Sequence, residues 1–173
     1  DFGKCFYTTE YLDLAKEWAV QNMEGGKVSA YELRLDGLKV LNLNNGEYSI
    51  LNWIGTILQY RIPRDLDDLQ ESARKYLVEN FAVNLSEADI IQGYRADDSY
   101  FQYTRDFLSN TIGIDTLTEA MRMGNLGEQI AIHSERAFRR LIFQRSYPVT
   151  KDFYAKYQKR DHETRKGYAD LRP

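Results

Sequence analysis

The sequence predicts an α+β fold, in which short strands and four or five helices follow one another without regular strand–helix alternation. Two patterns carry this prediction: apolar residues recur at helical spacing in several segments, and other segments alternate polar and apolar residues as strands do. The length of 173 residues suits one domain with a tail. A hydrophobic content of 43% and an aromatic content of 13% exclude a wholly disordered chain.

The first 26 residues predict a strand followed by a helix. Residues 1–9, DFGKCFYTT, combine a glycine turn with alternating aromatic and threonine residues, which is typical of a short strand. Thr8 or Thr9 is expected to cap the next helix, which ends at the Gly25–Gly26 pair. The apolar stripe of that helix comprises Leu12, Ala15, Ala19 and Met23.

Two apolar runs follow, separated by Asp36–Gly37. The first, Val28 to Leu35, alternates so that Tyr31, Leu33 and Leu35 are expected to face the core. The second extends from Leu38 to Leu43. The two runs form either a hairpin with an Asp-Gly turn or one kinked strand.

Two helices are predicted next. Residues 48–59 have helical spacing and are strongly apolar, which predicts a largely buried helix that ends before Pro63. Residues 66–80 predict an amphipathic helix. Its apolar stripe comprises Leu69, Ala73, Tyr76 and Leu77.

The remaining elements of the domain are short. Residues 88–94 predict a buried strand, and Asp97 or Asp98 is expected to cap a helix that carries Phe101, Thr104, Arg105 and Leu108. The later segments are a helix over 115–123 that ends at Gly124–Asn125, a strand over 128–133, a helix over 135–140 capped by Ser134, and a strand over 141–143.

The chain after Pro148 differs in charge. Residues 151–173 hold seven Lys or Arg against four Asp or Glu, a net charge of +3 within a protein of net charge −3. This pattern predicts a solvated helix or frayed tail, or a phosphate-attracting arm that would bind nucleic acid. Phe153, Tyr154 and Tyr157 could instead dock it on the domain.

Several function classes are disfavoured by what the sequence contains. The single cysteine, Cys5, allows no intramolecular disulfide framework or multi-cysteine zinc site and indicates a reducing compartment, so a cytoplasmic protein is expected. Lys4 could lower the pKa of Cys5 slightly, but a nucleophilic role is not favoured. With only two histidines, His133 and His162, no metal site is expected. No apolar run is long enough to span a membrane.

Three segments, DFGKCFYTT at 1–9, ADIIQGYRADDSYF at 88–101 and GNLGEQIAIHSERAF at 124–138, resemble a bacterial domain family of unknown function, number 3990, over about residues 1–147. That family is similar to the ADP-ribosyltransferase superfamily. The resemblance implies split, curved, mixed or antiparallel sheets with flanking helices around a cleft that binds NAD. It also implies transfer of ADP-ribose to a macromolecular acceptor, with residues 148–173 outside the domain.

The resemblance assigns roles to residues of the first segment. Tyr7 matches the tyrosine that stacks on nicotinamide, Gly3 matches the first glycine of the turn, and Tyr11 is a further cofactor contact. Cys5 stands where a second glycine is usual. The histidine that binds the adenosine ribose has no match before His133; it lies upstream of Asp1, or the domain is degenerate.

The position that holds the nicotinamide ribose falls at Glu128 or Gln129. Glu128 would supply negative charge beside the reacting ribose, whereas Gln129 would supply only a hydrogen bond. The two residues point to opposite faces of a strand, so only one enters the cleft. Arg95 follows the strand 88–94 and could bind a pyrophosphate. The sequence therefore predicts either an ADP-ribosyltransferase-like enzyme or a catalytically inert domain of the same shape that binds a protein or a nucleotide.

Overall fold

The computed structural model describes residues 1–20, 25–96, 100–122 and 128–171. Within these residues the fold is α+β, with seven helices and two open sheets. The strands are β1 (Phe6–Thr8), β2 (Gly26–Leu33), β3 (Val40–Asn42), β4 (Ile90–Tyr94), β5 (Glu128–Ile132) and β6 (Leu141–Val149). The helices are α1 (Leu12–Ala19), α2 (Ile50–Ile57), α3 (Asp68–Phe81), α4 (Tyr100–Leu108), α5 (Ile114–Arg122), α6 (Glu135–Phe138) and α7 (Asp152–Leu171).

The larger sheet is mixed and has the strand order β1-β5-β4-β3. β5 runs antiparallel to both of its neighbours, and β3 runs parallel to β4. The smaller sheet pairs β2 with β6 in antiparallel register, with a bulge between Ala30 and Tyr31. Each sheet thus pairs strands that are far apart in the sequence.

Both faces of the larger sheet are covered, because successive apolar residues of its central strands point to opposite faces. Ile91 and Ala131 face the main core, which also contains Trp53 and neighbouring residues of α2. Their neighbours Ile90 and Ile132 face a second apolar cluster around Ala137 of α6. β4 and β5 are therefore the central strands of the larger sheet, and Ile90–Tyr94 form a largely buried strand within the predicted residues 88–94.

The predicted partner of β2 was wrong. β2 and β3 lie in different sheets, so the residues around Asp36–Gly37 neither close a hairpin nor continue one strand. The predicted core face of β2 was wrong for Tyr31 and Leu35, which are 41% and 54% exposed. Leu33 packs partly buried against an apolar cluster, as predicted, and Val28 is also buried. The partner strand β6 starts more than 100 residues away, and no local pattern reports such pairing.

Two helical stripes also required correction. In α1, Leu12 is exposed and Leu14 is buried, and Met23 lies outside the described residues. Thr8 and Thr9 do not cap α1, because Tyr11 occupies its N-cap and the threonine hydroxyls donate to backbone carbonyls of β5. In α3, Leu69 and Tyr76 are exposed.

Other local predictions are confirmed. α2 is buried along most of its length, and Ser49 caps it together with Asn52. Ser134 caps α6 by accepting a hydrogen bond from the Ala137 N–H at 3.1 Å. The predicted caps and stops at Asp97, Asp98, Gly124 and Asn125 lie outside the described residues.

Most of the segment after Pro148 forms the helix α7, Asp152–Leu171, which packs against α1 and α5. Tyr168 is buried, and its hydroxyl donates to the Asp106 carboxylate of α4 at 2.5 Å. Arg160 forms an ion pair with Glu17 of α1 at 2.5 Å. The boundary suggested at residue 147 falls inside β6, which extends well beyond the predicted residues 141–143.

Candidate functional site

A groove of about 260 Å³ lies where the ends of β1, β4 and β5 meet α1. Tyr7 and Gln129 point to the same face of the sheet, because Tyr7 is paired with Ala131, two residues along β5 from Gln129. Arg95 follows β4 and also lines the groove. The described residues that line it are Asp1, Tyr7, Trp18, Arg95, Ala96 and Gln129.

The two ends of the Tyr7 side chain have different surroundings. Its hydroxyl accepts a hydrogen bond from the Phe2 N–H at 2.8 Å and donates one to the Gly3 carbonyl at 3.0 Å. Burial raises the pKa of Tyr7 to about 12, so the phenol is neutral at physiological pH. The hydroxyl thus fixes the turn before β1, while the side chain lines the groove.

Trp18 is the aromatic residue of the groove that the sequence analysis missed. The Arg95 guanidinium lies 5.0 Å from the centre of its ring, in a cation–π arrangement. Trp18 follows the buried Leu14 by four residues and therefore shares its helix face, which is not the face that the sequence predicted to be apolar. Arg95 itself is only 8% exposed.

Gln129 is 3% exposed and anchored on two oxygen atoms. Its Nε2 donates to Asp1 Oδ2 at 2.7 Å and to the Tyr94 carbonyl at 3.2 Å. The other oxygen of Asp1 accepts from Arg61 Nη1 at 3.0 Å. Asp1, which also had no place in the sequence prediction, thus connects Gln129 to a cationic side chain.

Glu128 lies on the opposite face of β5, outside the groove. Its carboxylate accepts hydrogen bonds from Asn44 Nδ2 at 3.0 Å and from Gln92 Nε2 at 2.5 Å. Of the two alternatives for the ribose-holding position, the one that shares a groove with Tyr7 is therefore Gln129.

Gly3 and Tyr11, the other two predicted cofactor contacts, do not line the groove. Gly3 has a φ of +82°, and a Cβ there would lie 3.0 Å from the Tyr60 ring. This explains the glycine as a requirement of the turn. Tyr11 is 54% exposed and occupies the N-cap of α1.

Cys5 and the histidines add no chemistry to the groove. Burial raises the pKa of Cys5, contrary to the lowering expected from Lys4, so the thiol stays protonated at neutral pH. His133 is bonded through Nδ1 to the Ala88 carbonyl at 2.9 Å. Among the described residues, no group of three or more His, Cys, Asp or Glu side chains is arranged to hold a metal ion.

A second groove, of about 340 Å³, is lined by four charged residues in and beside α6, namely Glu135, Arg136, Arg139 and Arg140. None of the residues predicted from the sequence lines it. Arg136 is bound to Asp89, and Arg139 to Glu135, so two of its three cations are already paired. We therefore take the smaller groove as the candidate site.

The sequence predictions also concerned a membrane and nucleic acid as partners. Within the part of the chain that is described, no helix combines the length and apolar character needed to cross a bilayer. In α7, Arg160 and Arg165 pair with carboxylates, on Glu17 and Asp161. Nucleic-acid binding by this segment stays a prediction.

Comparison with known proteins identifies a family for this chain. No curated protein and no solved structure matches the chain. Residues 1–143, which include every strand of the larger sheet and every residue of the groove, match the family described as "Protein of unknown function (DUF3990)". This protein therefore belongs to the DUF3990 family.

Proposed function

We propose that the groove binds the nicotinamide–ribose end of NAD and that the domain transfers ADP-ribose from NAD to a macromolecular acceptor, in the manner of an ADP-ribosyltransferase. The observation that carries this proposal is the convergence of Tyr7 and Gln129, which are 122 residues apart, on one groove. A volume of about 260 Å³ falls just below the usual range for a drug-sized ligand. It suits a ring with its ribose, and the rest of the dinucleotide would lie on the open surface.

Aromatic and cationic side chains of the groove match the two parts of that ligand. Nicotinamide in NAD is a cationic ring, and an indole face attracts a cation more strongly than other aromatic faces do. Trp18 offers such a face, over which the Arg95 guanidinium lies. Arg95, once displaced from it, has the planar guanidinium that binds phosphate oxygens in pairs.

The chemistry expected of this groove depends mainly on how it positions the ribose of NAD. Transfer breaks the bond between C1′ of the ribose and the nicotinamide nitrogen, which leaves with the electron pair as neutral nicotinamide. An acceptor nucleophile then bonds to C1′ and loses its proton. Holding the ribose in place lowers the entropic part of the barrier, and negative charge beside the ribose would stabilise its oxocarbenium character. Gln129 supports the first effect and carries no charge for the second.

A second candidate is binding of NAD or another nucleotide without turnover. The specific observation in its favour is that the side chain in the groove is an amide, while the neighbouring carboxylate of Glu128 is bonded on the other face. Both candidates require the same groove, and they differ in whether nicotinamide is released.

The experiment measures NAD binding by calorimetry and nicotinamide release by chromatography on the same samples. We expect Tyr7→Ala and Trp18→Leu each to weaken NAD binding by about tenfold or more, which corresponds to about 1.4 kcal/mol. Tyr76→Ala, in an exposed tyrosine of α3, is the matched control and should bind NAD normally. Binding with release supports the transferase, and binding without release supports the inert module. No binding to the unmodified protein contradicts both.

A further inference from the structure

The Asp1 carboxylate is an almost buried negative charge within the candidate site. Its side chain is 11% exposed, and its two oxygen atoms are bonded to different partners, Arg61 on one side and Gln129 on the other. Arg61 also donates to the Ala96 carbonyl at the edge of the groove. The guanidinium therefore keeps the Asp1 carboxylate in place beside Gln129.

This arrangement determines which way the Gln129 amide points. Both of its partners, the Asp1 carboxylate and the Tyr94 carbonyl, are hydrogen-bond acceptors. Only the nitrogen of the amide can donate to them, so Nε2 must face both. Among the described residues, none donates a hydrogen bond to Oε1, which leaves this oxygen as the acceptor available to a ligand.

We propose that Asp1 is a positioning residue that orients Gln129 and makes its Oε1 the acceptor for a ribose hydroxyl of NAD. This inference rests on the proposed function. A carboxylate bonded to an amide N–H polarises the amide and increases the negative charge on its oxygen. Asp1 thus binds the amide nitrogen of Gln129, and the amide oxygen can accept a hydrogen bond from the ribose as a glutamate in the same position would.

The test first removes the carboxylate of Asp1 and then moves it to position 129. In Asp1→Asn, the amide oxygen of the new side chain accepts from Arg61 and its nitrogen faces Gln129. Gln129 must then turn its own oxygen towards Asn, and the acceptor for the ribose is lost. We expect NAD affinity to fall about tenfold, as for one lost hydrogen bond.

The double variant Asp1→Asn/Gln129→Glu should recover this loss. The new glutamate accepts from the asparagine nitrogen and still has free lone pairs for the ribose. We expect its NAD affinity to return to within about threefold of the unmodified protein, on the scale of a preserved hydrogen bond. If Asp1 only anchors the turn through Arg61, the asparagine lowers affinity by the same factor whether residue 129 is Gln or Glu, and the proposal is overturned.

A stability measurement tests the pair without any ligand. Gln129→Glu places two carboxylates in contact, so the pKa of the pair rises above its unfolded value of about 4. The unfolding free energy of this variant should therefore fall, relative to the unmodified protein, as pH increases from 5 to 8. The double variant should lack this fall. Tyr7, Arg61 and Arg95 are the other charged or titratable side chains beside the pair in the described residues, and all three are present in each variant.

Gln158→Glu, in an exposed glutamine of α7, is the control for an added negative charge and should show no such pH dependence. If the effects of Asp1→Asn and Gln129→Glu on the unfolding free energy add in the double variant, the inference is overturned even if NAD binds. If the two effects do not add but the protein binds no NAD, the Asp1–Gln129 pair is retained, and the proposed function and its ligand are overturned.

Discussion

At the residue scale, the Tyr7 side chain combines a structural and a functional contribution that can be separated. The hydroxyl is bonded to the backbone of Phe2 and Gly3, and the side chain lines the groove. A ligand that stacks on Tyr7 would contact its ring, whereas the backbone of the turn before β1 is bonded to its hydroxyl oxygen.

Tyr7→Phe should therefore destabilise the protein. The Phe2 N–H and the Gly3 carbonyl lose their partner, and we expect a loss of about 1–2 kcal/mol in unfolding free energy. Urea denaturation measures this loss, with Tyr76→Phe as the control in an exposed tyrosine. A variant as stable as the unmodified protein would show that the hydroxyl does not hold the turn.

Part of the site could be predicted from the sequence, and the missing part has a physical reason. Tyr7 and Gln129 were candidates through the family resemblance, and Arg95 was a candidate because it follows the predicted strand 88–94. Asp1 and Trp18 were not, because their inclusion depends on how the turn and α1 fold back over the sheet. The choice between Glu128 and Gln129 required the register of β5 with β1, which local sequence does not determine.

At the element scale, α2 and α3 approach each other closely at Gly55. A Cβ at this position would lie 2.7 Å from the Leu77 carbonyl oxygen and 3.2 Å from the Ala82 nitrogen. These are backbone atoms of α3 and its C-cap, so they cannot move aside as a flexible side chain can. The glycine thus sets the distance between two helices of the main core.

Gly55→Ala should be destabilising, although alanine is the better helix former by about 1 kcal/mol. Separating the helices is expected to cost about 1–3 kcal/mol, as overpacking does elsewhere. Gly113→Ala, for which no atom lies within 4 Å of the added Cβ, should leave stability unchanged or slightly increased. Thermal unfolding compares the two, and equal melting temperatures would contradict this account of the α2–α3 contact.

Asp89 joins several elements at the other end of β4. Its carboxylate accepts hydrogen bonds from the Lys39 N–H at 2.8 Å, from Ser134 Oγ at 2.6 Å and from Arg136. The Arg136 guanidinium, with these two donors, holds the pKa of Asp89 well below its usual range. The contact links the start of β3 to the cap of α6.

This lowered pKa predicts a loss of stability in acid. An unfolded aspartate has a pKa of about 3.9. The stabilisation from Asp89 is therefore complete above about pH 5 and decreases as the pH falls below 4 towards the folded pKa. In Asp89→Asn, the unfolding free energy should depend less steeply on pH in this range. Urea denaturation at pH 3–7 measures the slope, and a slope equal to that of the control Asp36→Asn would contradict the prediction.

Elements were predictable where their signal is local. The buried α2 and the capped α6 follow from spacing and cap residues, whereas the pairing of β2 with β6 joins segments separated by more than 100 residues. The exposure of Tyr31 follows from that pairing, since its ring contacts are with Phe6 at 6.1 Å and Phe143 at 5.7 Å, both partly exposed. Alternation alone identified the strand but not its buried face.

At the scale of the whole molecule, α7 is held to the body in two places. Phe153 and Tyr154 pack on an apolar cluster, as one of the sequence alternatives predicted, and residues nearer the end of the helix add contacts that were not predicted. The net charge of +3 over residues 151–173 favoured a solvated segment, yet Thr164 and Tyr168 are buried. The ring of Tyr168 lies 4.2 Å from the ring of Tyr103, and its hydroxyl reaches Asp106. α7 therefore contributes to the stability of the domain that carries the groove.

Tyr168→Phe removes one donor from the buried Asp106 carboxylate. We expect a loss of about 1–3 kcal/mol, as for a buried group left with one partner fewer. Unfolding followed by circular dichroism and by tryptophan fluorescence should remain a single coincident transition at a lower urea concentration. Separate transitions would indicate that α7 unfolds on its own, and an unchanged midpoint would show that the bond contributes nothing.

The central claim is that one end of NAD enters the groove between Tyr7, Trp18 and Gln129. Saturation-transfer NMR measures it directly, because it reports which protons of the ligand contact the protein. The account predicts the strongest transfer to the nicotinamide ring and its ribose, and much weaker transfer in Trp18→Leu. Transfer mainly to the adenine end, or equal transfer in both proteins, would contradict it.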